Sequence, residues 1–461
     1  MSRIRWSAPV DLHPQYNGSG DLLIHYGTPL ATRANTIIFP VKTGTYDGFR
    51  VEARNGGDGT VLWTRASDYT LPSHNWVPSF GPAITPKNRV YFAGSGGTVH
   101  YRDAPDVASG GEGQIAFYGL ANYQADQAGF DANVKINTPI TSDRYGNIFF
   151  GFLVTGATTP ALQGGIARIA PDGTGTWVSA TSAAADGGIS KVVHNCTPAL
   201  SNDHRTLYVA VNSGNFSSGW LVSLDSLSPT LAPIARVRLK DVLQTANDAI
   251  LPDDGSAAPT VGPDGDVYYG VLENPFGANH LRGWLLHFDG ALSQTKTPGA
   301  FGWDDTASVV PKSAVPSYTG TSPYLLLTKY NNYVEGGGDG VNKLAVLDPN
   351  DTQTDAISGA TVMKEILTKA GPTPDAEHVS PTTPNAVREW CINTAAVDPA
   401  GKCAIVNNED GRAYRWDFTN NTLSQTVIFP IARAEAYTPT IIGIDGTVFA
   451  ISDAILYAIG Q

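Results

Sequence analysis

One pattern recurs eight times along the 461 residues: a short apolar run with proline near its start, a turn, then a β-branched or aromatic run. The copies are "TPLATRANTIIF", "GPAITPKNRVYF", "TPITSDRYGNIFF", "TPALSNDHRTLYV", "APTVGPDGDVYY", "VPSYTGTSPYLLL", "TAAVDPAGKCAIV" and "TPTIIGIDGTVFA". Their markers are Pro29, Pro82, Pro139, Pro198, Pro259, Pro316, Ala395 and Pro439. The turn at each centre is often Asp-Gly or Asn-rich, the chemistry of a tight hairpin. A third, alternating segment follows and usually closes on Asp, as in "GTVHYRD", "GWLVSLD", "GWLLHFD", "NKLAVLD" and "GRAYRWD". A fourth, more polar segment sometimes carries Trp, as in "GTVLWT" (Trp63) and "GTGTWVSA" (Trp177). Repeats of this length with four short strands each predict one all-β domain over 1–461, an eight-bladed β-propeller.

The last copy has three strands, and then the chain stops at Gln461. The missing fourth strand is expected at the other end, where "SRIRWSAPVDL" has the alternation and the Trp of an outer strand. Pairing it with "AILYAIG" closes the ring and removes an exposed edge. The longest interval, Pro316 to Ala395, implies an insertion at about 360–390. Its first part, "GATVMKEILTKAG", is expected as a short helix, and its Pro-rich part as an ordered loop.

The form "PTVGPDGDVYYG" with "GWLLHFDG", and "PTIIGIDGTVFAISDAILYAIG", resembles the quinoprotein-type, or PQQ-like, propeller repeat over nearly the whole chain. The resemblance implies the fold. It leaves function open among quinone-dependent dehydrogenases, polysaccharide lyases and non-catalytic scaffolds. The dehydrogenases carry two adjacent cysteines beside the quinone and are longer; here Cys196, Cys391 and Cys403 stand apart. No cofactor is therefore expected, and the three cysteines are expected as buried thiols.

A formal charge of -12 argues against nucleic acid and anionic membranes as partners. No apolar stretch is long enough to span a bilayer. The start, "MSRIRWSAPVDL", lacks the apolar segment of a signal peptide. A low charged fraction of 16% and glycosylation-type triplets at Asn17 and Asn215 lean toward a periplasmic or extracellular protein whose signal has been removed. A cytoplasmic location stays open, and a monomer is expected.

Ligand sites of such propellers lie where the innermost strands begin, around the central channel. Four residues before the markers stand His25, Pro78, Lys135, His194, Gly255, Lys312, Cys391 and Glu435. The same lead-in loops hold His74, Trp303, Asp304, Asp305, Glu389, Trp390, Arg433 and Tyr437. Charged groups beside aromatic ones suit a polar ligand, carbohydrate first, with rings to stack and hydroxyls to bond. The loops between second and third strands are long in blades five to seven, where Glu273, His280, Arg282, Lys329, Tyr330, Asn332, Tyr333, Asn408 and Glu409 lie, with His378 in the insertion. That asymmetry predicts a pocket wall on this side.

Two functions compete. A polysaccharide lyase would use His194 or His25 as base and Lys312, Lys329 or Arg433 to neutralise a carboxylate. A glycoside hydrolase would pair Glu435 with Glu409. Lys135, His74, Trp303, Tyr330, Trp390, Glu409, Arg433 and Tyr437 would bind the ligand. The alternative is a non-catalytic binding or scaffold propeller for protein partners, and a quinone-dependent oxidoreductase ranks third. The Asp-rich "DDGSAAPTVGPDGD" could hold Ca²⁺, but "PDGD" reads first as a hairpin turn; no other metal motif occurs.

Overall fold

Proline and β-branched residues cannot build a helix at this density, and the turn chemistry folds each repeat into a four-stranded antiparallel meander. The computed structural model describes residues 1–461 except 19, 21, 46, 73–79, 393 and 431–438. Eight antiparallel sheets stand in sequence order as the blades of a β-propeller. Blade one shows the plan, with strands Leu30–Ala31, Thr36–Lys42, Asp47–Asn55 and Val61–Thr70 running from the channel outward. Its second strand is buried at every residue, whereas its fourth alternates exposed residues with partly or fully buried ones. A strand sandwiched between neighbouring blades is covered on both faces; an outer strand meets water on one.

The hairpins between first and second strands follow one rule. In seven blades a single turn residue adopts a left-handed conformation: Asn35, Asn88, Gly146, His204, Gly265, Lys402 and Gly446, with φ between 51° and 92°. Blade six is the exception. There the first strand, Ser308–Pro311, ends in a 3-10 turn at Lys312–Ala314 before the second strand, Tyr324–Tyr330.

That exception corrects the sequence register. Thr141 Oγ1 donates to Pro198 O at 2.6 Å, Thr260 Oγ1 to Ala307 O at 2.9 Å, and Ser308 Oγ to Ala395 O at 2.9 Å. These blade-to-blade bonds make Ala307, and not Pro316, the blade-six counterpart of Pro198 and Ala395. Pro316 lies in the connection after the 3-10 turn, where proline serves the loop.

The expected helix in "GATVMKEILTKAG" is instead Thr361–Ala370, the outer strand of blade six, paired from Thr354↔Thr361 to Lys343↔Ala370. Cross-strand pairing has overridden a local pattern that also fits helical spacing. This strand covers its neighbour. Blade five has three regular strands, Thr260–Val261, Val267–Val271 and Trp284–Phe288, and its outer edge is reduced to bridges at Thr295 and Gly299. Met363 N donates to Pro298 O at 2.8 Å, and Val362 and Met363 join the blade-five core.

The ring closes as the repeat requires. Arg3–Pro9 pairs antiparallel with Ile455–Gly460, from Arg3↔Gly460 to Pro9↔Ile455, as the fourth strand of blade eight. Beyond it the chain crosses to blade one, where Asp11 bridges Lys42. The buried Lys42 ammonium lies 2.9 Å from Asp11 and donates to the carbonyls of His13 and Gly44. Tyr26 Oη donates to the other Asp11 oxygen at 2.8 Å. A buried ion pair this fully hydrogen-bonded fixes geometry more than it adds stability.

Candidate functional site

The starts of the innermost strands surround a central cavity of about 240 Å³. His25, Gly27, Pro139, Asn195, Pro198, Ser256, Pro259, Thr306, Thr394 and Pro439 face it. The wall behind this lining is charged. Asp304 accepts from Ser256 N at 2.9 Å and Ser256 Oγ at 2.7 Å, and Lys329 Nζ donates to its other oxygen at 3.3 Å. His25 Nδ1 lies 4.0 Å away. All four residues are buried. Burial opposes ionisation of Asp304, yet Lys329, His25 and Ser256 together hold its carboxyl below the usual aspartate range. Lys329 is held in its charged form for the matching reason: Asp304 and Asp305 outweigh its burial.

Asp305 behaves oppositely. Burial pushes its carboxyl up to about 7, with the Asp304 charge adding to the shift and Lys329 and Thr328 opposing it. One oxygen accepts from Thr328 Oγ1, and the other has no hydrogen-bond partner among the described residues. Two adjacent aspartates are thus shifted in opposite directions by the same wall.

A second clamp joins blades four and five. Asp253 accepts from Lys191 Nζ at 2.6 Å, from His194 N at 3.1 Å and from Asn212 Nδ2 at 3.4 Å. Burial works against the Asp253 charge, but Lys191 and His194 hold it below the normal range.

The sequence-predicted residues therefore divide. His25 and Lys329 meet at Asp304, and His194 belongs to the neighbouring clamp. Lys135 Nζ donates to Thr70 Oγ1 at 2.6 Å, tying blade three to the end of blade one's outer strand. Trp390 is fully buried between blades six and seven, its ring 5.9 Å from Tyr414. Trp303 packs against the blade-five core. Tyr330, next to Lys329 in an extended strand, points to the opposite face and lines a groove with Arg282. Lys312 stands at the far end of the channel from the others, donating to Gly320 O at 2.5 Å; the corrected blade-six register moves it away from the mouth. His74, Arg433, Glu435 and Tyr437 lie outside the described residues.

The insertion builds a third region. Residues 371–392 run over the top of blades six and seven, and Arg388 sits among Asp375 (3.3 Å), Glu377 (3.5 Å) and Glu409 (3.6 Å). Thr373 Oγ1 donates to Asp410 at 2.6 Å, and His378 pairs with Asp375 and Glu335. Burial raises the carboxyls of Glu389 and Glu409; each is further disfavoured as an anion by carboxylates nearby, Glu409 itself in the case of Glu389. Between the insertion and the long loops of blades five and six an open groove of about 660 Å³ is lined by His280, Asn332, Val334, Asp339, Ile357 and Thr382.

The Asp-rich stretch that could hold Ca²⁺ is used structurally. Gly265 is its hairpin turn, and Asp253 is taken by Lys191. No group of His, Cys, Asp or Glu suited to holding a metal ion occurs among the described residues. The three cysteines are buried thiols, and no helix among the described residues is long and apolar enough to cross a membrane.

No protein-family model and no curated protein sequence matches the chain. Among solved structures it is similar to Sqt1 of Saccharomyces cerevisiae, with a TM-score of 0.54, 10% identity and all of both chains covered. It is also similar to the computationally designed Ika8, with a TM-score of 0.50 and 12% identity over 95% of this chain and 98% of that one. BamB from Moraxella catarrhalis aligns at a TM-score of 0.46 and 12% identity, over 94% and 96% of the two chains. At such identities the likeness to the first two shows the fold, a β-propeller, and nothing narrower.

Proposed function

We propose that the chain is a non-catalytic binding propeller of the PQQ-like repeat class, which holds protein partners on the top face of blades four to seven. The observation that carries this reading is the use of the channel-mouth charges. Asp304, Lys329, Asp253 and Lys191 are spent on contacts within the wall, and the cavity surface is proline, glycine, threonine and alanine with His25, Tyr26, Asn195 and Ser256. The open, irregular and polar surface lies instead over the long loops and the insertion. Loops on a rigid frame are where propellers vary and bind.

Replacing residues 376–384 by a short Gly-Ser link tests the reading. Proximity labelling with the intact protein in its native cell should mark a defined partner, and the loop-replaced chain should lose it while remaining folded. If no partner is marked above a scrambled-location control, the reading fails.

A second reading rests on the raised carboxyls. Asp305 and Glu389, close to the charged Lys329, are the groups best suited to move a proton at the channel mouth, on a small polar or carbohydrate substrate. Turnover of any polysaccharide in a screen for unsaturated uronates and reducing ends, abolished by Lys329→Met, would favour it over the binding reading.

A further inference from the structure

Among the described residues, an exposed aromatic pair stands on the face where the loops between second and third strands emerge. Phe216, in the loop between second and third strands of blade four, is 46% exposed, and Phe276, in the corresponding loop of blade five, is 59% exposed. Their rings meet edge to face, 6.1 Å between centroids. Phe216 holds a left-handed φ of 54°, a conformation that costs a non-glycine residue about 1–2 kcal/mol. Asn215 braces the loop: its Oδ1 accepts from Phe216 N and Asp253 N, and its Nδ2 donates to Asp254. The fold thus presents, on a rigid support, two apolar rings that it does not use for its own core.

The surroundings are acidic. From Phe276 the surface continues through His280, whose Nδ1 meets Asn332 Oδ1 at 2.8 Å, to Asn332 Nδ2, which donates to Asp339 at 2.6 Å. Among the described residues no cation pairs Asp254 or Asp339; each accepts only from amide donors. Glu335 and Glu377 are about half exposed on the same side. Segments 213–218, 251–256, 272–283, 331–342, 355–358 and 371–392 together hold nine Asp or Glu against two Arg and no Lys, in a chain of net charge -12. The exposed or half-exposed acids among them, Asp254, Glu335, Asp339 and Glu377, give the rim a negative surface.

We propose that the rim of blades four to six docks an extended, Arg- or Lys-rich segment of another protein. A guanidinium or ammonium lies over the faces of Phe216 and Phe276, an arrangement favoured by the ring quadrupole. Neighbouring basic side chains meet Asp254 and Asp339, and an aliphatic side chain enters the groove beside Val334 and Ile357, the latter 41% exposed. Complementary charge speeds the encounter and makes it salt-sensitive. A second copy of this chain is a poor occupant, because it brings the same negative rim. The inference rests on the binding reading above and names the partner's chemistry.

The test uses the full chain and fluorescence anisotropy of a labelled short peptide of alternating Arg and Leu, with the Glu-Leu counterpart as control. The Arg-Leu peptide should bind and weaken steeply with salt. Phe216→Ser/Phe276→Ser, which leaves every charge in place, should weaken it about tenfold, and Asp339→Asn about threefold. Equal affinity of the double variant, or equal binding of the Glu-Leu peptide, overturns the proposal. So does self-association in sedimentation equilibrium that the double variant abolishes. If the partner marked by proximity labelling is retained by the double variant, the rim proposal falls and the binding reading stands.

Discussion

The channel wall and the rim of blades four to six are built from the same residue types and use them in opposite ways. At the wall, Asp304 and Lys329 are buried, matched and shared between blades. On the rim, Asp254 and Asp339 accept only from amides among the described residues, and Phe216 and Phe276 stand in solvent. Charge in a low-dielectric wall is structural by default, since leaving it unpaired is expensive. Charge in the open has little effect on stability and is available for recognition.

The sharpest way to break this contrast is Asp304→Ala, which leaves the Lys329 ammonium and the Ser256 donors without their acceptor. Chemical denaturation should show a loss of about 3–5 kcal/mol; a loss under about 1 kcal/mol would mean that the wall is wet and resembles the rim.

The Asp305 carboxyl sets the next effect. Its folded value of about 7 lies above the roughly 4 of an unfolded aspartate. The stabilising contribution is therefore complete below about pH 4 and is lost as pH rises through about 7. Asp305→Asn should remove this fall, gaining up to about 4 kcal/mol on wild type at pH 8 compared with pH 4. Melting curves at both values check the sign.

Replacement of 376–384 should change stability by about 1 kcal/mol or less, since loop length enters only logarithmically. Phe276→Ser should be the mildest, within about 0.5 kcal/mol. A cooperative collapse of either would show that the rim is part of the frame.

The fold was legible because a propeller writes itself into the chain as a period: apolar alternation, a turn residue tolerant of left-handed backbone, and a polar outer strand, repeated. Even the ring closure could be read, from a blade with three strands and a chain start with one. Blade six was misread because proline marked the wrong element. Its first strand carries proline at its end, Pro311, and the next proline, Pro316, belongs to a loop. The strand Thr361–Ala370 hides behind Val362, Met363, Ile366 and Leu367, whose spacing suits a helix as well as a bulged strand. The candidate site was legible in composition only. Sequence position put His25, Lys329 and Asp304 near the mouth, but whether a side chain faces the cavity or the next blade depends on blade packing, which no single repeat encodes.

The strand that seals the ring has a consequence in time. Arg3–Pro9 is made some 450 residues before its partner, Ile455–Gly460. Throughout synthesis this edge, with Trp6 destined to bond Gly56 O and pack against Phe449, waits without its partner strand. Contacts that far apart in sequence form slowly, and an unpaired edge is a template for the wrong partner. Production of this protein should therefore respond more to conditions that protect nascent chains than to any change in the finished propeller's stability.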